Sequence, residues 1–136
     1  MTDKAYIKRS ASDCWGTPKE MYDKYIEQGY FDPCPYLYKE DGLKIEWQEK
    51  NFVNPPYSDL KGWSKKVREE YLKGKEIVLF IPARTDTKYF HEYLLPCNPK
   101  IEFIKGRVKF IDLDDSSKTK GSAPFPSLLM TFKKDL

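Results

Sequence analysis

The clearest hydrophobic pattern in the chain is a continuous apolar run, residues 77–81, inside the segment 76–82. Such a run is typical of a strand that is buried on both faces of a parallel sheet. The β-forming residues 52–53 predict an earlier strand, which must end at two prolines because proline donates no backbone N–H and restricts the residue before it. Between these strands, apolar residues recur on one side of a helix over residues 58–73, with Ser58 or Asp59 as its expected cap. We therefore predict a strand-helix-strand unit with two parallel strands.

Two other segments have apolar residues at helical spacing. The segment Thr17-Pro18-Lys19-Glu20 has the pattern of a capping box with proline at the first helical position, and Gly29 is expected to end this first helix. A later helix is expected to carry the apolar residues of segment 89–94, with Asp86 or Thr87 as its cap.

The remaining β-forming runs are short. Residues 30–35 predict a strand interrupted by proline, which leaves Asp32 near its carboxyl end, where ligands bind in open α/β sheets. Towards the end of the chain, three further runs predict strands that complete the sheet in antiparallel fashion: residues 100–104, 107–111 and 127–132.

Three segments have no regular pattern. Residues 1–12 are expected to form a loose N-terminal arm, and residues 36–47 are expected to form a loop. Residues 113–126 are polar and rich in Ser, Lys, Gly and Pro. They predict a mobile loop whose Lys118 and Lys120 could touch a nucleic-acid backbone.

Length and composition narrow the class of protein. A chain of 136 residues has the size of one domain, so we predict a single α/β domain over residues 1–136, with helices on the faces of a mixed sheet. The formal net charge of +3 permits a nucleic-acid partner through local Lys and Arg clusters but does not require one.

The sequence has no apolar stretch of about 18 residues and no signal-peptide pattern, so we expect a soluble cytoplasmic protein without a membrane partner. Three cysteines without a C-x-x-C pair and a single histidine favour neither a disulfide framework nor a metal site.

The most informative stretch is Asn54-Pro55-Pro56-Tyr57, which leaves the carboxyl end of the first predicted strand. Its two prolines should hold Asn54 and Tyr57 in a stiff, pre-organised turn. The Asn54 side-chain oxygen and the Pro55 carbonyl could bind both N–H groups of an exocyclic amine, which favours a pyramidal nitrogen with its lone pair aimed at an electrophilic methyl group. The Tyr57 ring could stack on the base. The stretch fits amine methylation, and it also fits an ordinary Pro-Pro loop with an exposed tyrosine.

Five motifs of the chain occur in the order seen in a known family. They are Asp13-Cys14-Trp15-Gly16-Thr17-Pro18, Phe31-Asp32-Pro33-Cys34, Asn54-Pro55-Pro56-Tyr57, Ile81-Pro82-Ala83-Arg84-Thr85-Asp86-Thr87 and Gly106-Arg107-Val108-Lys109-Phe110. Over about residues 13–132 the chain resembles the phage-type DNA N6-adenine methyltransferases, which use S-adenosylmethionine. The resemblance implies a compact Rossmann-like methyltransferase fold and methylation of adenine N6 in DNA, with the target base flipped out of the duplex. For a phage-encoded protein, the place of action would be the cytoplasm of the bacterial host.

The resemblance also implies roles for particular residues. The catalytic residues would be Asn54, Pro55, Pro56 and Tyr57. Residues of two segments would hold S-adenosylmethionine, namely Trp15, Thr17, Pro18, Asp32, Pro33 and Cys34. Among them, the Asp32 carboxylate would meet the cationic methionine part. The DNA substrate would be contacted by Tyr57, Arg84, Arg107 and Phe110. No metal ligand is implied, and no G-x-G loop follows Asp32 to hold the adenosine.

Several of these roles have a purely structural alternative. Trp15 and Pro18 could staple the start of the helix, and Asp32 could cap a turn. Arg107 could be a buried structural arginine at the start of a strand.

The expectation for Arg84 does not depend on the resemblance alone. Arg84 follows the strand predicted over residues 76–82, so we expect it to reach a cleft or a phosphate at the carboxyl edge of the sheet.

Other functions also fit the residues of the Pro-Pro stretch. One is a nucleic-acid-binding module without catalysis, in which aromatic and lysine side chains bind strands. A second is a methyltransferase that acts on RNA bases or on protein glutamine. Cytosine N4 is the closest rival among DNA targets, because the same two acceptors suit its amine.

Overall fold

The computed structural model describes residues 7–8, 15–35, 37–38 and 40–135. The helical segments are α1 (Lys19–Glu27), a 3-10 turn (Tyr57–Asp59), α2 (Leu60–Leu72), a π-helix (Phe90–Leu94) and a second 3-10 turn (Leu95–Cys97). The strands are β1 (Ile7–Lys8), β2 (Trp15–Gly16), β3 (Leu37–Tyr38), β4 (Lys50–Val53), β5 (Glu76–Pro82), β6 (Lys100–Phe103), β7 (Lys109–Asp112), β8 (Asp115–Ser122) and β9 (Ser127–Phe132).

The centre of the fold is a four-stranded sheet with the order β4-β5-β9-β6. β4 and β5 are parallel neighbours, with Val53 paired to Leu79. β9 is antiparallel to both β5 and β6, so β6 has the same direction as β5. Phe31 adds a parallel bridge to Asn51 in β4. The sheet is therefore mixed, which confirms the predicted α/β class.

The apolar run in β5 is buried on both faces, as predicted. Ile77, Leu79 and Ile81 belong to one hydrophobic core, whereas Val78 and Phe80 belong to another. Helix α2 and the π-helix cover the first core, while α1 and the three-stranded sheet β2-β7-β8 cover the second. The central sheet is thus the middle of three layers. Burial of each of these large side chains stabilises the fold by about 1.5–3 kcal/mol.

Helix α2 confirms the predicted helix and one of its predicted caps. The Asp59 carboxylate accepts a hydrogen bond from the Gly62 N–H at 3.0 Å, which satisfies one of the donors that a helix start leaves unpaired. Trp63 and Val67 face the first core, and Gly74, with a φ of 100°, follows the helix in a left-handed conformation. The predicted strand-helix-strand unit is therefore present.

The helix predicted near residue 90 is of a different kind. The π-helix and the 3-10 turn after it occupy the place expected for an α-helix. Pro96 gives the physical reason, because it has no N–H for the carbonyl four residues earlier and its ring crowds that carbonyl. Thr87, one of the two expected caps, donates its hydroxyl to the carbonyl of Arg84 at 2.7 Å.

Helix α1 begins one residue later than the capping-box pattern predicts. Pro18 occupies the N-cap position and makes no side-chain cap hydrogen bond. The Thr17 hydroxyl instead accepts a hydrogen bond from Asn54, so the predicted capping box is wrong. The helix packs through Tyr25, whose ring stacks on Phe52 with centroids 4.7 Å apart.

Residues 113–126 do not form the predicted mobile loop, because the whole of β8 lies within them and pairs antiparallel with β7. Polarity is misleading here since β8 is an edge strand, and an edge strand with one solvated face needs few apolar residues. Register shifts along β7 and a φ of 78° at Gly121 indicate an irregular, bulged hairpin. The side chain of Lys118 lies outside the described part of the structure.

Residues 1–6 and 9–14 lie outside the described residues, and so do Tyr36, Lys39 and Leu136. Within the predicted N-terminal arm, β1 pairs antiparallel with β3, so at these two residues the chain is a strand rather than a loose arm. β3 likewise interrupts the loop predicted for residues 36–47. Among the helices of the described residues, none combines the length and the apolar character needed to cross a membrane.

Candidate active site

Three parallel segments of the central sheet end at one edge. Asp32 follows the Phe31 bridge, Asn54 follows β4, and Arg84 follows β5. Ligands of open α/β sheets bind outside the carboxyl ends of the strands. The fold therefore brings three of the predicted site segments to the same edge, while Arg107 precedes β7 in the second sheet.

Asn54 is held by the segment that the sequence analysis gave to the cofactor. The residue is 6% exposed, and its amide nitrogen donates to the Trp15 carbonyl at 2.7 Å and to the Thr17 hydroxyl at 3.0 Å. A carbonyl oxygen only accepts hydrogen bonds, so the amide nitrogen must face Trp15 and the amide oxygen must point away from it. The sequence analysis missed this contact. Thr17 and Asn54 are 37 positions apart, and no local sequence pattern signals a contact between them.

The two prolines give the motif a fixed path. Pro56 is extended, with φ −62° and ψ 130°, and its carbonyl accepts a hydrogen bond from the Asp59 N–H at 3.2 Å. The chain turns immediately afterwards into the 3-10 segment that begins with Tyr57. Because proline rings restrict rotation about φ, the Pro55 carbonyl belongs to the same stiff path. The turn predicted from the sequence is therefore present.

Four rings pack around the motif as an aromatic cluster, which consists of Trp15, Tyr57, Phe110 and Phe125. Trp15 and Tyr57 each lie edge-on to both phenylalanines, with centroid distances from 5.3 to 6.3 Å. Edge contacts of this kind contribute about 0.5–1.5 kcal/mol each beyond the burial of area. The Nζ of Lys120 lies 4.8 Å from the centroid of the Trp15 ring, which places a positive charge beside the cluster.

Phe110 has a different place from the one predicted. It is 0% exposed and stacks on Phe80 at 5.6 Å, so its ring cannot touch a substrate in this conformation and instead supports Tyr57. Phe125 contributes to the same support and was missed by the sequence analysis. Its position between two prolines, inside an otherwise polar stretch, was the available signal.

Asp32 caps the turn that it begins. Its Oδ1 accepts a hydrogen bond from the Cys34 N–H at 2.8 Å, and its Oδ2 accepts one from the Tyr22 hydroxyl at 3.0 Å. Burial, and then the negative charge of Asp32, raises the pKa of Tyr22, so this hydroxyl remains a donor. The turn-capping alternative is therefore observed, and the contact of Asp32 with a cofactor stays a prediction.

A cavity of about 180 Å³ connects the Asp32 turn with the Pro-Pro motif. Its walls are mainly apolar, with two carboxylates, and include Pro33, Cys34, Asp41, Pro56, Asp59 and Trp63. Gly42 completes one wall, where a Cβ atom would lie 2.1 Å from the Pro33 carbonyl oxygen. Small-molecule sites usually measure about 300–1,000 Å³, so this cavity fits part of a cofactor. The sequence analysis missed Asp41 and Trp63 because it placed them in a loop and in a core stripe.

A larger groove of about 620 Å³ lies at the opposite edge of the sheet, where β4 and β5 begin. Side chains of both charges line it. Two of its lysines, Lys73 and Lys75, bind the buried Glu70 carboxylate at 3.0 and 2.6 Å. Since these cations serve the fold and the groove is remote from Asn54, the smaller cavity is the better candidate for a ligand.

Comparison with known proteins identifies the family. The sequence model of the family described as DNA N-6-adenine-methyltransferase (Dam) matches residues 4–135. The chain belongs to this family. No curated protein and no solved structure matches the chain. Membership in the Dam family confirms the resemblance found in the sequence, and it implies methyltransferase activity with DNA as the substrate.

The two arginines that were expected to contact DNA in this Dam family member, Arg84 and Arg107, are both exposed. The alternative that Arg107 is a buried structural residue is therefore wrong. Lys105 and Lys109, on either side of Arg107, are exposed as well. These three exposed cations lie close together in the sequence at the start of β7, and we call them the basic surface.

Within the described ranges, no group of three or more His, Cys, Asp or Glu side chains could hold a metal ion. The single histidine of the chain, His91, is exposed, with its Nε2 2.7 Å from the Thr85 carbonyl oxygen.

Proposed function

We propose that this chain transfers a methyl group from S-adenosylmethionine to N6 of adenine in DNA, with the adenine flipped into the turn of residues 54–57. The orientation of the Asn54 amide carries the proposal. Its nitrogen is bound to Trp15 and Thr17 at a strand's carboxyl end, so its oxygen is held as a pre-directed acceptor.

The acceptor would act on the adenine amine. An aromatic amine is a poor nucleophile because its lone pair is delocalised into the ring. Hydrogen bonds from its two N–H groups to the Asn54 oxygen and the Pro55 carbonyl would favour a pyramidal nitrogen with a localised lone pair. Loss of one such preorganised partner typically costs about 10²–10³-fold in kcat.

The Tyr57 ring would hold the flipped base. Flipping is needed because the N6 amine cannot be reached while adenine is stacked in the duplex, and it costs a few kcal/mol. Stacking on an aromatic side chain contributes about 1–3 kcal/mol per base, which offsets part of the cost of flipping. The edge contacts of Tyr57 with Phe110 and Phe125 restrain the ring in advance and so support this role.

Asp32, Pro33 and Cys34 would hold the methionine part of S-adenosylmethionine at the small cavity. The cofactor supplies the electrophilic methyl group when bound. Apolar walls with the carboxylates of Asp41 and Asp59 suit a cation on an apolar chain, which supports this assignment. A Rossmann-like fold is part of the proposal, because such folds bind nucleotide cofactors at the carboxyl edge of parallel strands.

The DNA backbone would lie along the basic surface of Lys105, Arg107 and Lys109, with Arg84 at the carboxyl edge of the sheet. Contacts to phosphates orient a duplex without reading its sequence. The exposure of all four side chains supports this role. It also explains how a protein with a small net charge can bind DNA.

Mass spectrometry tests the proposal. The chain is incubated with unmethylated DNA and S-adenosylmethionine, and the DNA is digested to nucleosides. We expect N6-methyladenine. N4-methylcytosine or 5-methylcytosine in its place would contradict the assigned base, and no modified nucleoside from protein that binds the cofactor would favour RNA or protein substrates. Failure to bind S-adenosylmethionine would favour a nucleic-acid-binding module.

A further inference from the structure

The Asn54 amide has two N–H groups, and the described structure provides an acceptor for each. They are the Trp15 carbonyl at 2.7 Å and the Thr17 hydroxyl at 3.0 Å. Rotating the amide by half a turn would bring its oxygen against the Trp15 carbonyl oxygen, with no proton between them. The two contacts therefore select one of the two amide orientations.

We infer that Thr17 is a positioning residue for methyl transfer, and that its hydroxyl holds the Asn54 amide at the angle that directs its oxygen to the substrate amine. The inference rests on the proposed function. The Trp15 carbonyl excludes the reversed amide, and Thr17 fixes the tilt of the amide plane. Thr17 thereby has a task other than the cofactor contact implied by the sequence.

The Thr17 hydroxyl is not used to cap the start of α1, so it can hold the Asn54 amide. The residue does not cap α1, because Pro18 is at the N-cap position and makes no side-chain cap bond. Asn54 is nearly fully buried, so an N–H that lost its acceptor would be unfavourable there, and the amide would tilt to recover a partner. Catalysis is sensitive to such a tilt, since a displacement of about 1 Å can cost 10²-fold in rate.

A second consequence concerns the chemistry allowed at position 54. Asn54→Asp preserves size and shape, but a carboxylate has no N–H to donate to the Trp15 carbonyl. An aspartate would therefore place like partial charges together in a buried position. We expect Asn54→Asp to lose activity in this chain even though it retains an acceptor oxygen.

The test compares Thr17→Val, which removes the hydroxyl at constant shape, with Thr17→Ser, which retains it. Thr131→Val in β9 is the matched control remote from the site. We expect Thr17→Val to lower kcat about 10-fold or more, Thr17→Ser to restore it, and both to keep the Kd for S-adenosylmethionine. Thr17→Ala repeats the test if valine disturbs the fold, as judged by melting temperature.

An independent readout is the side-chain amide of Asn54, followed by NMR in protein labelled with 15N-asparagine. We expect faster solvent exchange of this amide in Thr17→Val and not in Thr17→Ser. Unchanged kcat with unchanged amide signals would overturn the inference, and so would a weaker Kd for the cofactor with unchanged kcat. If the wild-type chain methylates no DNA while Thr17→Val still alters the amide signals, the hold of Thr17 on Asn54 stands and the proposed function fails.

Discussion

Tyr57 lies edge-on against Phe125, with ring centroids 5.7 Å apart and ring planes at 77°. Phe125 belongs to the connection between β8 and β9, so the segment after the β7-β8 hairpin braces the proposed stacking face. The ring that would receive a base is therefore restrained by residues far from it in the sequence.

Phe125→Ala should impair the use of DNA more than it impairs the fold. The substitution removes edge contacts to Tyr57 and Trp15 of about 0.5–1.5 kcal/mol each, which frees Tyr57 to move. We expect the KM for DNA to rise about 10-fold, measured by steady-state kinetics. Phe103→Ala is the control, because Phe103 is 77% exposed on β6. Equal effects of the two substitutions would contradict the bracing role.

Glu70 should make stability depend on acid pH. Its side chain is 0% exposed; burial raises its pKa, but hydrogen bonds from Lys75, the Trp47 N–H, Lys73 and Lys66 outweigh burial and lower the pKa from 4.5 to about 2. A pKa that is lower in the folded state gives stability above about pH 4.5, which is lost as the pH falls towards 2. We expect the free energy of unfolding to decrease by an amount on the order of 3 kcal/mol across this window.

Denaturant unfolding of Glu70→Gln over the same pH range isolates this contribution. The variant should lose that pH dependence, and it should be about 3–5 kcal/mol less stable at pH 7 because lysines around the site lose their carboxylate partner. Glu69→Gln, an exposed neighbour on α2, is the control and should behave as the wild type. A wild-type pH dependence in Glu70→Gln would refute the role of Glu70.

The sequence predicts those elements of the fold whose hydrophobic pattern fits a single kind of secondary structure. β5 is predictable because both of its faces are buried, and α2 is predictable because an apolar stripe and the Asp59 cap coincide. β8 is not, because an edge strand gains its order from backbone pairing with β7 rather than from apolar side chains. Pro96 changes the helix type near residue 90 although the apolar spacing looks regular.

In the candidate site too, the features set by local sequence are predictable, whereas those set by tertiary packing are not. The stiff turn at residues 54–57 follows from the local chemistry of proline, so the sequence predicts it. The contact between Thr17 and Asn54 arises only when the second sheet packs on the first, and the capping-box pattern gives Thr17 a different partner. The burial of Phe110 is likewise a tertiary property, which a motif match cannot reveal.

Arg107→Ala should weaken DNA binding in a salt-dependent manner. Each phosphate contact contributes about 0.9 to the magnitude of the slope of log K against log salt, so the slope should decrease in magnitude by about 1. The melting temperature should not change, because Arg107 is exposed. Lys61→Ala on the exposed side of α2 is the control. An unchanged slope in Arg107→Ala would exclude a phosphate contact by this residue.

Asp32→Asn should weaken S-adenosylmethionine binding. A hydrogen bond to a charged group contributes about 1.5–3 kcal/mol, so isothermal titration should show a Kd about 10-fold to 150-fold higher. Tyr22→Phe is the control, because it removes the hydroxyl that donates to Asp32 and leaves the carboxylate charge in place. If both variants weaken binding equally, the turn-capping role of Asp32 is sufficient to explain the effect.

In the proposed reaction, Asn54 acts on the adenine amine and not on the cofactor. The most direct measurement quantifies N6-methyladenine formed by wild-type and Asn54→Ala protein, alongside isothermal titration of both with S-adenosylmethionine. We expect Asn54→Ala to lower methylation by about 100-fold or more while the Kd for the cofactor stays the same. Undiminished methylation, or a loss of cofactor binding as large as the loss of methylation, would contradict it.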